Sequence, residues 1–257
     1  MSTQGDIVSQ DFKEQLQRIV EQLAPEFRLQ TQQEIASVLQ RGVSSHDDLL
    51  KVIQDPIAST DIRCTACWIA GRLGDPQAVT ALLVALGDEQ LTIRVQAAIS
   101  LSELQSKESI PCLLSTMLND PDREVRTAAA YAFGFFDDRD ERVVQALISV
   151  LDNKRESPAV RGQAAEALGN RGERQAMLPL LAALDDTPVE VRFWATFALG
   201  QLGDPKALEA LEHIAATDQA ILSGWGPVSK EAREAIQSIQ DQQNRNDNLR
   251  KSQQRDR

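Results

Sequence analysis

Apolar positions recur along this chain with a spacing of three to four residues, and the pattern restarts at near-fixed intervals. The stretches "DIRCTACWIAGRLGDP" (61–76), "TIRVQAAISLSEL" (92–104), "EVRTAAAYAFGFF" (124–136) and "EVRFWATFALGQLGDP" (190–205) each read as a helix that stops near Gly-Asp-Pro or its remnant. A β-branched residue followed by arginine marks each start, at Arg63, Arg94, Arg126, Arg161 and Arg192, spaced 31, 32, 35 and 31 residues apart. Eleven residues after each arginine comes a turn position: Gly74, Gln105, Asp137, Gly172 and Gly203. A second apolar segment follows each turn, such as "AVTALLVAL" (78–86) or "VQALISVL" (144–151), so each unit is helix, short turn, helix. At Gly74-Asp75-Pro76 and Gly203-Asp204-Pro205 the glycine can take positive φ, the aspartate caps the next helix and proline fits its first turn. The junction from Asp137 to Asp140 lacks glycine and is expected to be less regular.

Numbering from each arginine at about 100° per residue divides the first helices into two faces. Positions −1, +3, +4, +6, +7 and +10 form one apolar arc, for example Val191, Ala195, Thr196, Ala198, Leu199 and Leu202. Positions +1, +2, +5 and +9 point away from it. Six of those twenty outward residues are aromatic, namely Trp68, Tyr131, Phe135, Phe193, Trp194 and Phe197, where the chain's 4% aromatic content predicts about one. With Arg72 and Ile99 they form the candidate binding surface, because a bare apolar patch of this kind is uncommon on a soluble monomer. The competing explanation is cover from elsewhere in the chain, either the N-terminal helix or the loop "ILSGWGPV" (221–228). Phe133 and Phe136 fall on the core arc.

The pattern V-R-x-x-A-A-x-A-L-G-x-L-G-D-P, best matched at "VRGQAAEALGNRGE" (160–173) and "VRFWATFALGQLGDP" (191–205), resembles HEAT-like repeats of the phycobilisome-lyase type. The resemblance implies an all-α fold, an α-α superhelix or solenoid of about six HEAT-like helix pairs. Residues 1–27 are then an N-terminal extension with one helix, 28–215 the repeats, 216–240 a loop and capping helix, and 241–257 a disordered polar tail. It also implies a cyanobacterial setting in which the family handles phycobiliproteins and their open-chain tetrapyrroles. The outward positions would line the concave recognition face, with a phycobiliprotein subunit or a lyase partner as protein partner. A bilin is the implied ligand, with no permanently bound cofactor, and Arg72 is available to a propionate. A catalytic bilin lyase or isomerase subunit is the second implied reading. A scaffold for another pathway, such as iron–sulfur carrier assembly, is the third. No residues matching a catalytic motif are found, so catalytic residues stay unassigned.

Composition narrows the partners. A net charge of −11 disfavours nucleic acid and anionic membranes, and Arg72 is the only basic residue among the twenty outward sites. No apolar run reaches the roughly 20 residues of a membrane span, and "MSTQGDIVSQ" shows no signal-peptide pattern. Three cysteines give no disulfide framework and suit a reducing cytoplasm. Cys64-x-x-Cys67 lies within one helix without a second pair, so packed or exposed thiols are expected rather than a metal site. His46 and His213 are expected in structural or surface roles. The arginine ladder is expected to pair with carboxylates or cap carbonyls near junctions such as Asp88, Asp120 and Asp186.

Overall fold

The computed structural model describes residues 10–137 and 140–255, with side chains through Arg245. The chain begins with α1 (Gln10–Glu21) and continues as six helix pairs. These are α2 (Pro25–Leu39) with α3 (His46–Gln54), α4 (Thr60–Leu73) with α5 (Ala78–Ala85), and α6 (Leu91–Leu104) with α7 (Ile110–Asn119). Then come α8 (Arg123–Phe133) with α9 (Glu141–Asp152), α10 (Pro158–Asn170) with α11 (Met177–Ala183), and α12 (Val189–Leu202) with α13 (Leu208–Thr217). A two-stranded antiparallel hairpin, β1 (Ile221–Leu222) and β2 (Gly226–Pro227), precedes the last helix, α14 (Val228–Arg255). The chain forms two compact units, Met1–Ala132 and Phe133–Arg257.

The apolar arc becomes the core. Ala66, Cys67, Ile69 and Ala70 are buried in α4, as are Val191, Ala195, Thr196, Ala198, Leu199 and Leu202 in α12. Phe133 and Phe136 are buried against each other, ring centres 5.8 Å apart. First helices approach closely through small residues: a Cβ on Gly169 would lie 2.6 Å from the Ala198 Cα, and one on Gly200 2.8 Å from the Ala235 Cα. Only glycine fits at that separation. Four of the five turn positions take the left-handed conformation, with φ of 69° at Gly74, 49° at Gln105, 68° at Gly172 and 66° at Gly203. The following aspartates accept backbone N–H groups as expected, Asp75 from Gln77 at 2.9 Å and Asp204 from Lys206 at 3.0 Å. Two of the four residues at the third junction, 138–139, lie outside the described residues, as does the stretch at 1–9 where no signal peptide is expected.

The boundaries differ from the sequence expectation. The break at 27/28 falls inside α2, and the one at 215/216 inside α13. α14 continues through the polar tail to Arg255 instead of fraying at 240. Its Gln, Arg, Lys and Asp residues lack an apolar stripe, yet several are good helix formers and extend a helix already anchored by buried Val228, Ala232, Ala235 and Ile239.

The arginine ladder forms as expected. Arg63 pairs with Asp88 at 2.5 Å, Arg94 with Asp120 at 3.0 Å and Asp122 at 2.5 Å, and Arg192 with Asp218 at 2.6 Å. Arg161 pairs with Asp186, to which Lys154 also donates at 2.5 Å. Remaining guanidinium protons go to carbonyls in two ways. Arg63 and Arg161 reach Ile53 and Leu151, at 2.9 and 2.8 Å. Arg94, Arg126 and Arg192 reach Asp88, Asp120 and Asp186, at 2.8, 2.7 and 2.9 Å. The Arg161 and Asp186 side chains are only 3% and 6% exposed, so each charge depends on the other for compensation. Burial alone would raise the Asp186 carboxyl, but hydrogen bonds from Arg161 and Lys154 outweigh it and hold it below its ordinary value. The hydrogen bond from Arg192 lowers Asp218 in the same direction, against burial.

Two outcomes follow from these pairs. Asp186→Ala strands a buried guanidinium and should cost about 3–5 kcal/mol in urea denaturation, whereas Arg142→Ala, in an exposed pair with Asp140, should cost under about 1 kcal/mol. Because Asp186 and Asp218 are depressed below their ordinary 3.8, the stability they supply is complete above about pH 4 and is lost as pH falls through the lower folded values. Acid unfolding followed by circular dichroism should therefore set in below about pH 4, with a shallower pH slope in Asp218→Asn.

Candidate functional site

In the first unit the outward positions of α4 open onto a groove of about 750 Å³. Its α4 wall carries Asp61, Cys64, Thr65 and Trp68, with Gln96 from α6. The opposite wall is α2, which contributes Phe27, Gln30, Thr31, Gln33 and Glu34. Trp68 is half-buried and Phe27 is 58% exposed, so the groove offers two rings among amides, hydroxyls and the carboxylates of Asp61 and Glu34. Ile99 is half-buried on α6.

Arg72 does not stand free. It lies 3.6 Å from Glu103 and donates to the Gln22 side chain at 3.2 Å. Burial raises the Glu103 carboxyl even so. A propionate would have to displace these partners. The N-terminal helices pack beside α4 at this end and leave the groove open between α2 and α4. His46 bridges Asp75 at 2.9 Å and Gln15 of α1 at 2.8 Å, and its ring stands 5.3 Å from that of Phe12, which makes it structural. His213 is exposed on α13. Cys67 is fully buried, and burial pushes its thiol up to about 12. Cys64 is half-buried rather than exposed, and burial raises it too. Neither thiol is a ready nucleophile. Among the described residues no three His, Cys, Asp or Glu side chains are grouped to hold a metal ion.

Tyr131 and Phe135 are exposed, at 36% and 47%. Phe193 and Trp194 correct the expectation of an open surface: they are 3% and 9% exposed. The hairpin covers them, since the Trp225 ring centre lies 4.8 Å from that of Trp194 and 6.1 Å from that of Phe193. Trp194 also meets Phe193 and Phe197 edge-to-face, at 5.3 and 5.7 Å. Gly162 makes room for the indole, because a Cβ there would lie 2.8 Å from the Trp194 Cδ1. The hairpin is held at its base by Asp218, which accepts from Arg192 and from the Ala220 N–H at 3.0 Å. A pocket of about 320 Å³ remains beside the rings, lined also by Glu166, Pro227, Lys230, Glu231 and Glu234.

Phe27 and the three α14 residues of this pocket are missed by the repeat-based reading. Phe27 lies outside the aligned units, and α14 follows a hairpin with no periodic signal. The clue was the pair of uncommon ring residues Phe27 and Trp225 flanking the repeats.

Comparison with known proteins agrees with this architecture. A family model described as HEAT repeats matches residues 46–134 and 144–222. The phycocyanobilin lyase subunit alpha of Picosynechococcus sp. is 40% identical over 96 residues, 35% of this chain and 36% of that protein. The chain thus matches about a third of the length of that curated relative. The crystal structure of YibA from Escherichia coli overlays on 89% of this chain and 82% of its own with a TM-score of 0.57 at 18% identity, a likeness of fold alone. The complex of CpcE and CpcF of phycocyanin lyase from Nostoc sp. covers 93% of this chain and 97% of that one at 18% identity, but its TM-score of 0.47 is too low to build on. Because the repeat model spans well over half of the sequence, the chain belongs to the HEAT-repeat family, with a stretch similar to a phycocyanobilin lyase subunit.

Proposed function

We propose that this chain is a phycobilin lyase-like recognition protein that binds an open-chain tetrapyrrole, and through it a phycobiliprotein, in the groove between α2 and α4. The groove itself supports this most directly. Its volume of about 750 Å³ is within the usual range for a small-molecule site. The rings of Phe27 and Trp68 offer apolar faces for a flat conjugated ligand. Asp61 and Glu34 can accept pyrrole N–H groups, and the Gln30, Gln33 and Gln96 amides can donate to carbonyl or carboxylate oxygens. The similarity to a phycocyanobilin lyase subunit supports the ligand class.

Covalent attachment of a bilin to this protein's own thiol in the groove is disfavoured. Covalent bilin chemistry at a thiol needs thiolate, and the one cysteine in the groove, Cys64, is shifted by burial toward the protonated form. That half-buried position also weakens the scaffold reading built on an exposed Cys64. Tyr131 and Phe135 remain proposed contacts for a protein partner, on the strength of their exposed rings.

The test is titration of purified protein with phycocyanobilin, read as a shift of its visible absorbance. Saturable binding is expected, weakened about 10- to 100-fold in Trp68→Ala, which corresponds to the loss of roughly 1.5–3 kcal/mol of aromatic contact. No spectral shift, or equal affinity in a Trp68→Ala variant with native circular dichroism, would overturn the reading. An acid-stable coloured adduct on an added apo-phycobiliprotein would instead assign lyase activity.

A further inference from the structure

The aromatic pocket of the second unit is smaller than the groove and carries more rings and more carboxylates. Around its 320 Å³ stand Phe193, Trp194 and Phe197 on α12 and Trp225 on the hairpin. Three carboxylates also face it, Glu166 from α10 and Glu231 and Glu234 from α14, against one ammonium, Lys230. That ammonium is already committed to Glu234 at 3.4 Å, in a pair about 60% exposed on both sides, where attraction is weak. Glu166 accepts from the Gln163 amide, a neutral donor. Glu231 makes no hydrogen bond or salt bridge among the described residues. Both carboxyls are partly withdrawn from water, and burial raises them.

We propose that this pocket receives an arginine side chain of a protein partner, its guanidinium stacked on the Trp225–Trp194 pair and hydrogen-bonded to Glu231 and Glu166. Each element of the pocket fits that ion. Indole faces attract cations through the ring quadrupole. A planar guanidinium both stacks on rings and binds a carboxylate through parallel N–H donors, which a lysine ammonium cannot do. The entering charge would meet Glu166 and Glu231, neither of which makes a salt bridge among the described residues, Glu231 feeling Lys230 only at longer range. An anionic ligand is disfavoured by the same groups. A hard metal ion wants six or more oxygens, which the rings do not supply. The net charge of −11 draws a basic partner segment toward the protein in the first place. The inference stands independently of the bilin reading.

The experiment uses the full chain and its three tryptophans. Indole ¹H–¹⁵N resonances, assigned with Trp225→Phe, are followed during titration with N-acetyl-arginine amide and with the neutral isostere N-acetyl-citrulline amide at constant ionic strength. The arginine probe should shift Trp194 and Trp225 saturably while Trp68 stays still, and the citrulline probe should shift neither. Glu166→Gln with Glu231→Gln should weaken arginine binding about tenfold or more. If the double variant loses its native circular dichroism, Glu231→Gln alone is expected to weaken it at least threefold. Equal shifts with citrulline, undiminished binding in the folded Glu→Gln variants, or no saturable arginine shift by about 100 mM probe would overturn the assignment.

Discussion

The arginine near the start of each first helix is the constraint on which the rest of the structure depends. A guanidinium cannot be discharged, so wherever packing withdraws it from water the fold must supply acceptors. Four rungs supply a carboxylate from the loop that closes the same helix pair: Asp88 for Arg63, Asp120 for Arg94, Asp186 for Arg161 and Asp218 for Arg192. The pairing spans 25 or 26 residues each time. It therefore sets where each second helix ends and the next pair starts. Arg126 caps the carbonyls of Asp120 and Pro121 at 2.7 and 3.2 Å. Within each unit, the spacing of pairs is thus a charge requirement satisfied locally and repeatedly, as expected of a quasi-one-dimensional repeat protein.

The last rung shows how that device shapes a candidate site. After Arg192 no further helix pair follows, and its carboxylate partner sits instead at the root of the hairpin. The interaction that elsewhere closes one pair for the next here fixes a turn, and the turn lays Trp225 over Phe193 and Trp194. The same rule, applied at the end of the array, produces a ring-lined pocket in place of another repeat.

Much of this was legible in the sequence, and the failures have a common cause. Helix periodicity gave the core arc of α4 and α12, the turn positions and the partners of the arginines, because all are decided within about thirty residues of chain. The outward face was assigned by angle, yet an angle says only that a side chain avoids its own core. Whether it meets water depends on what arrives from elsewhere. Phe193 and Trp194 are covered by a hairpin whose sequence has no period, and Trp68 faces α2, which begins before the first aligned unit. The tail beyond residue 240 looked structureless because it has no apolar stripe, while its actual support is propagation from the buried first turns of α14.

The division of labour between helix faces explains why rings can accumulate where water should be. Stability in each unit comes from the arc, the close approaches at Gly169 and Gly200, and the arginine rungs. None of these uses position +5, where every residue is half-buried or exposed, so substitutions there leave the core untouched and are free to serve recognition. Both candidate sites build on such a ring, Trp68 in one and Phe197 in the other. Trp68 lies with Phe27 in an open groove among amides, hydroxyls and the carboxylates of Asp61 and Glu34. Phe197 lies with Trp194 and Trp225 in a smaller pocket with three carboxylates and the Lys230 ammonium, a setting in which the proposed cation would stack and pair. Rings alone would make both sites merely adhesive. The polar groups beside them, and the hairpin that covers only the second, would set which ligand each one takes.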